Sequence, residues 1–357
     1  MGESQVLSLA SGVDALYLTG KGIVPVELVE VLASERERAA ADRASGGEGR
    51  AVAFGSHEFV VGWGGWDNYR FRLDAPGKAL IGLVSSSENF PSIRVQPRAE
   101  FLHAVGPREV LKWVYDVAET LGLFVQWKVS RLDLFADFHG LGLVAESRWD
   151  FVCRAKRRKT FEDGEELETL YFGSGKPLMA RLYNKTKEIA AKGTDWWPSV
   201  WGAAYRLGLP VWRVEFQIER AYLNDVGLSG SPEQVLDAAP RLWAKLTSEW
   251  LTLRLPTDDS NRSRWPVSPI WEFVQATTFD GVAVGEDLIR LGRLRGDLRK
   301  IGPQAVGYVS SLGALLGARD EAELFELLPV FLARDARLRG ISLDERIRIK
   351  RRDYGVA

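Results

Sequence analysis

Cysteine is nearly absent from this chain and histidine is scarce. Among 357 residues there are 1 cysteine, Cys153, and 3 histidines. A lone cysteine excludes a disulfide within the chain and any cysteine-rich zinc site. The histidines, His57, His103 and His139, stand far apart, and no His-x-His or His-x-x-x-His pair occurs. A bound metal would therefore rest mostly on oxygen ligands, which favours magnesium or manganese over zinc. An excess of charge is missing too: 47 Lys+Arg face 48 Asp+Glu, a net of -1. Global charge gives no pointer to nucleic acid, so any basic surface has to be local. No apolar run of about 18 residues is present to span a membrane, and the N-terminus lacks the basic-then-apolar pattern of a signal peptide. The expectation is a cytoplasmic protein without a membrane partner.

What the chain has is apolar and aromatic material. Hydrophobic residues make up 46% and aromatics 11%, with 13 tryptophans, so every segment can contribute to a core. Most tryptophans are expected to be core filler, although aromatic rings also serve as stacking platforms for bases.

Three runs between Arg131 and Arg220 alternate with period two, the signal of a strand. They are Arg131–Asp137 (RLDLFAD), Leu178–Lys185 (LMARLYNK) and Val211–Glu219 (VWRVEFQIE). Successive side chains on a strand point to opposite faces. Leu132, Leu134, Ala136, Leu178, Ala180, Leu182, Trp212, Val214, Phe216 and Ile218 therefore make one apolar face. Arg131, Asp133, Asp137, Arg181, Tyr183, Lys185, Arg213, Glu215, Gln217 and Glu219 make the other. If the strands share a sheet, this second face gathers carboxylates, arginines and one tyrosine. Such a face is also what a solvated antiparallel sheet shows, through cross-strand ion pairs.

Elsewhere a first strand is expected at 13–18 and a helix from Pro25 to about Arg43. Short strands between 51 and 102 read as an antiparallel meander, and Pro107–Leu121 has helical spacing. Residues 147–158 read as a helix with a basic tail. Gly-Ser-Gly-Lys at 173–176 lacks the spacing of a phosphate-binding loop and is expected to join two strands of a hairpin. Residues 231–253 read as helical, interrupted by Pro240, and 256–269 as a linker. Residues 270–350 read as helices broken near Gly281, Gly302, Gly317 and Gly340, with basic patches at 288–300 and 346–352.

The runs RLDLFAD (131–137), TLYFGS (169–174), RLYNKTKE (181–188) and WRVEF (212–216), in this order, resemble the replication initiation factor family. That family comprises rolling-circle replication initiators of plasmids and phages and related relaxases of integrative conjugative elements. The resemblance spans roughly 50–255 in element order. It implies an α+β fold, antiparallel sheet covered by helices on one face, a relaxase-like nicking domain, followed by an all-helical C-terminal region. The expected division is an N-terminal strand and helix at 1–50, the catalytic domain at 51–255, and helices at 270–357 that could bind DNA.

The resemblance further implies nicking and rejoining of one DNA strand at an origin through a tyrosine–5′-phosphate link, with Mg2+ or Mn2+. By position in the motif Tyr183 is the nucleophile. Asp133, Asp137 and Glu215 are the candidate metal ligands or proton acceptor, and Arg181, Lys185 and Arg213 the candidate phosphate contacts with Arg131. Tyr171 competes as nucleophile. The implied partners are origin DNA, as duplex or hairpin and as a single-stranded nick site, a host helicase, and a second copy in a homodimer. A conjugative relaxase, a non-catalytic origin-binding protein and a metal nuclease that uses water remain open alternatives.

Overall fold

A computed structural model describes residues 6–43, 49–84, 90–194, 196–279, 306, 309–339 and 342–353. Two compact units divide the chain: one of residues 1–223 and 228–288, the other of 224–227 and 289–357.

The first unit is built on one antiparallel sheet. Its strands are β1 (Leu7–Ile23), β2 (Arg50–Phe54), β3 (His57–Val61), β4 (Phe71–Ala75), β5 (Ala79–Leu83), β6 (Ile93–Pro97), β7 (Phe124–His139), β9 (Arg158–Asp163), β10 (Glu166–Gly173), β11 (Leu178–Asn184) and β12 (Val211–Glu219). They lie in the order β2-β3-β4-β5-β6-β1-β7-β12-β11-β10-β9. Every neighbouring pair is antiparallel. A separate two-stranded ribbon joins β8 (Phe151–Cys153) to β13 (Leu251–Leu253). The long strands β1 and β7 pair along nearly their whole length at the centre. Strand β1, read from sequence as part of a separate N-terminal segment, thus lies between β6 and β7.

Alternation sets the two faces. Leu16, Leu18, Leu132, Leu134, Ala136, Val214, Phe216, Ile218, Ala180 and Leu182 are all buried. On this side α8 (Ala239–Lys245) brings Trp243 edge-on to Phe216, with ring centres 5.4 Å apart. Helix α3 (Pro107–Thr120) buries Val110, Leu111, Val114, Val117 and Ala118, the stripe its helical spacing predicts. The remaining helices of this unit are α1 (Val26–Asp42), α2 (Ala99–Val105), α4 (Lys185–Lys192), α5 (Trp197–Trp201), α6 (Arg220–Asp225), α7 (Pro232–Asp237) and α9 (Pro269–Gln275).

Two expectations fail locally. Residues 147–158 are not a helix: a 3-10 turn (Ala145–Trp149) leads into β8, and the basic run enters the edge strand β9. Pairing with β13 and packing of Phe151 on Phe172 and Trp271 override the local periodicity. The helical reading of 231–253 holds for α7 and α8, then ends in a π turn (Leu246–Trp250) and β13.

In the second unit, helices span Glu321–Arg339 and Leu343–Asp353, and Arg346 pairs with Asp335 at 3.0 Å. The basic stretch 288–300 and the breaks at Gly281, Gly302 and Gly340 lie outside the described residues. Among the described residues no helix is long and apolar enough to cross a membrane.

Candidate active site

Three neighbouring strands bring the predicted residues together. On β11, β12 and β7 the register sets Tyr183 beside Arg213 and Arg213 beside Asp137, in one row across the sheet. Two residues along, Arg181 lies beside Glu215 and Glu215 beside Phe135. The Tyr183 hydroxyl donates to Glu215 Oε2 at 2.9 Å. Arg181 Nη2 bonds the other oxygen of the same carboxylate. Glu215 is thus held from two sides, and its side chain is 0% exposed.

A second set lies deeper. Arg213 is fully buried and grips Asp137 with two parallel bonds of 2.7 Å from Nε and Nη2. Its Nη1 donates to Asp14 Oδ1 at 2.7 Å. Trp201 Nε1 adds a 2.8 Å bond to Asp137 Oδ2, and His103 Nε2 lies 3.1 Å from Asp14 Oδ1. The guanidinium is sandwiched between the rings of Phe135 and Trp197, 4.0 and 4.1 Å from their centres. Helix α5 therefore covers part of the face that alternation marks as polar. A buried arginine needs this many partners, because an unpaired internal charge is strongly unfavourable.

Lys185 is also buried rather than offered to solvent. It bonds Glu188 at 2.6 Å and lies 4.4 Å over the Trp197 ring. The turn into α4 explains its placement: the Asn184 side chain caps the helix by accepting from Lys187 N–H, and Thr186 Oγ1 accepts from Val211 N–H. Asp133 is held by Arg131 through both oxygens, by a 2.8 Å bond from Nε to Oδ1 and a second bond from Nη2 to Oδ2.

Burial and charge shift the groups in opposite senses. Burial and the nearby Glu215 carboxylate push the Tyr183 phenol well above its usual range. Burial raises Asp133 to about 7, against the pull of Arg131 and with a further push from Glu215. Burial would raise Asp14 as well, but Arg213 and His103 outweigh it and hold that carboxyl far below the carboxylate range. Burial lowers Lys185, with Arg213 adding to the effect.

Two cavities open on this face. One, of about 380 Å³, is lined by Tyr171, Arg181, Tyr183, Lys187, Glu215 and Asp14 among others. The other, of about 470 Å³, includes Arg72, Arg98, Arg131, Asp133 and Arg181 and again Asp14. Asp14 and Arg181 line both.

The predicted ligand trio is not gathered into one set. Both oxygens of Asp137 are taken by Arg213 and Trp201. Among the described residues no group of three or more histidine, cysteine, aspartate or glutamate side chains could hold a metal ion. Asp133 and Glu215 are close enough for the charge of one to raise the other. Magnesium and manganese commonly take one or two carboxylates and complete their shell with substrate phosphate and water. Asp133 and Glu215 each line one of the two cavities and Asp137 lines neither, but a cation on that pair would have to displace Arg131 and Arg181, which hold their oxygens.

Sequence reasoning missed Asp14 and His103. Asp14 was within reach, since 13–18 reads as a strand and Asp14 is its one acid. His103 sits on α2, a helix too short for its periodicity to stand out.

No family model matches the chain, and no curated protein matches it. A solved rolling-circle replication initiator protein from Geobacillus stearothermophilus is similar at 17% sequence identity and a TM-score of 0.46, over 76% of this chain and 96% of that one.

Proposed function

We propose that this protein nicks and rejoins one strand of DNA at a replication origin, as a rolling-circle replication initiator does, with Tyr183 as nucleophile. The observation that carries the reading is the 2.9 Å bond from the Tyr183 hydroxyl to Glu215, at the wall of an open polar cavity. A phenol does not ionise unaided near neutral pH, and here burial makes it harder still. A base in contact with it is therefore required, and Glu215 is that base.

In the forward step the Tyr183 oxygen attacks phosphorus and its proton passes to Glu215. The bond from phosphorus to the 3′ oxygen breaks, and that oxygen leaves as the 3′ hydroxyl after protonation. The 5′ phosphate stays on Tyr183, and reversal of the step rejoins the strand. Arg181 holds Glu215 in place and keeps Nε without a hydrogen-bond partner, a donor that a phosphate oxygen satisfies. Lys187, on the cavity wall, adds a second cation. Arg213 and Lys185 do not meet substrate: neither lines either cavity, and they support the floor under Tyr183. A divalent cation, if it displaced Arg131 and Arg181 from Asp133 and Glu215, would supply stabilisation of the negative charge developing on the phosphate.

Tyr171 is the second candidate, because it lines the same cavity on the adjoining strand beside Arg181. The test uses single-stranded oligonucleotides tiling the DNA that flanks the gene, with Mn2+. The expected result is a protein–DNA adduct that survives SDS and is absent in Tyr183→Phe. An adduct that persists in Tyr183→Phe moves the nucleophile to Tyr171. Cleavage with no adduct points to water as nucleophile and overturns the proposal.

A further inference from the structure

Strands β1 and β7 lie side by side and antiparallel at the middle of the sheet. A half-turn about an axis normal to the sheet between them exchanges β1 with β7, β6 with β12, β5 with β11, and β4 with β10. The same face stays up. Under this exchange β6 Arg94 takes the place of β12 Arg213. Arg94 lies between Thr19 and Gly82, as Arg213 lies between Asp137 and Tyr183. Two residues on, Gln96 takes the place of Glu215.

The side chains repeat the pattern in altered form. Arg94 lies 4.4 Å over Trp66 and 5.9 Å over Tyr17, where Arg213 lies over Trp197 and Phe135. Gln96 Nε2 donates to the Tyr17 hydroxyl at 2.8 Å, where Glu215 accepts from Tyr183. Arg94 pairs with Asp67 at 2.8 Å, on a turn where Asp67 adopts a left-handed φ of 52. The nucleophile has no counterpart. Gly82 stands at its position, and a Cβ there would meet the Tyr69 ring at 2.7 Å. The carboxylate that would accept the proton is an amide.

This half nevertheless borders the 470 Å³ cavity that shares Asp14 and Arg181 with the candidate active site. Around it Arg98 is paired with Asp74 and Arg131 with Asp133. Arg72 is exposed and takes no ion pair among the described residues; neither does Glu100 at the rim. A cation with no ion pair among the described residues, a tryptophan capped by an arginine beyond the cavity's lining and polar groups between them and Tyr183 match the needs of a flexible strand with stacked bases and regular phosphates.

We infer that the first half of the sheet is a non-catalytic copy of the active-site layout, and that it holds single-stranded DNA next to the scissile phosphate. Arg72 and Arg94 meet backbone phosphates, and Trp66 offers a ring to a base. The inference rests on the proposed function for the identity of the strand, but its readout is binding rather than cleavage.

The probe is a fluorescein-labelled dodecathymidylate followed by anisotropy. The double variant Arg72→Ala/Arg94→Ala should weaken binding about tenfold or more, and lower the slope of log affinity against log salt by about 1.4, since each single-strand phosphate contact contributes about 0.7. Trp66→Ala should weaken it about fivefold or more, in keeping with the usual weight of one stacked base. Glu100→Gln should tighten it. Arg38→Ala/Lys112→Ala, which removes the same charge from α1 and α3, should leave affinity unchanged. If the double variant lacks a cooperative melt, Arg72→Gln alone carries the test, since its guanidinium pairs with no acid among the described residues. Wild-type affinity and salt slope in the Arg72 and Arg94 variants would overturn the inference, whether or not Tyr183 forms an adduct. Weakened binding without any adduct in wild type would sustain it and sink the nicking reading instead.

Discussion

The two halves of the sheet place an arginine at matching positions and put it to different use. Arg213 is fully buried, bonded to two aspartates and clamped between two rings. Arg94 is partly exposed and bonded to one surface aspartate that is itself 61% exposed. Around Arg213 the neighbouring strand offers a phenol to a cavity. Around Arg94 it offers Gly82, and Tyr69 fills the space. On the proposed function a shared backbone layout thus supports chemistry in one half only, where, among the described residues, a buried arginine and a phenol-lined cavity coincide.

The sharpest way to break this comparison is to remove each arginine in turn. Arg213→Met strands Asp137 and Asp14 and should destabilise the fold by about 3–5 kcal/mol, the usual effect of breaking a buried ion pair from one side. Urea denaturation would measure it. Arg94→Met removes an exposed pair and should lower stability by at most about 1 kcal/mol. Equal losses would mean that the two positions are not differently used.

Gly82→Ala tests the filled position. The new methyl group must displace the Tyr69 ring, so a loss of about 1–3 kcal/mol is expected, as for overpacking in a core. A neutral result would show that the space at Gly82 is not closed.

The remaining effect is a pH dependence. Asp133 is raised to about 7 by burial and by Glu215, so the folded state keeps a proton there that the unfolded chain has lost. Its stabilising contribution is complete below about 4, the ordinary aspartate value, and fades as pH rises toward 7. Asp133→Asn should flatten that fall in denaturation midpoints. A cation must displace the same proton, so Mn2+ affinity should rise through pH 7 in wild type and lose that rise in Asp133→Asn. A parallel rise in both proteins would remove Asp133 from the proposed metal site.

Much of the sheet was legible in the sequence because period-two alternation is local. It assigned Tyr183, Glu215, Arg213, Asp133 and Asp137 to one face and the meander of β2 to β6 to strands. Register was not legible. Nothing in the runs themselves says that Arg213 lies beside Asp137 or that Glu215 lies between Arg181 and Phe135. Those pairings separate carboxylates that look equivalent in sequence into two that line a cavity, Asp133 and Glu215, and one that lines neither cavity, Asp137. Burial was not legible either, since the cover over Arg213 comes from Trp197 and Trp201, whose short helix has too few turns to show a stripe. The helix expected at 147–158 failed because β8 takes its partner from about a hundred residues away. The exchange of halves was hidden because its signature, arginine with a neighbouring aromatic, survives while the sequence around it has changed.

The most direct test of the central claim is mass spectrometry of the peptide that carries DNA after proteolysis of the SDS-stable adduct. The account predicts a nucleotide mass on Tyr183, in the peptide between Arg181 and Lys185. The same mass on Tyr171, or DNA cleaved with no modified tyrosine, would contradict it.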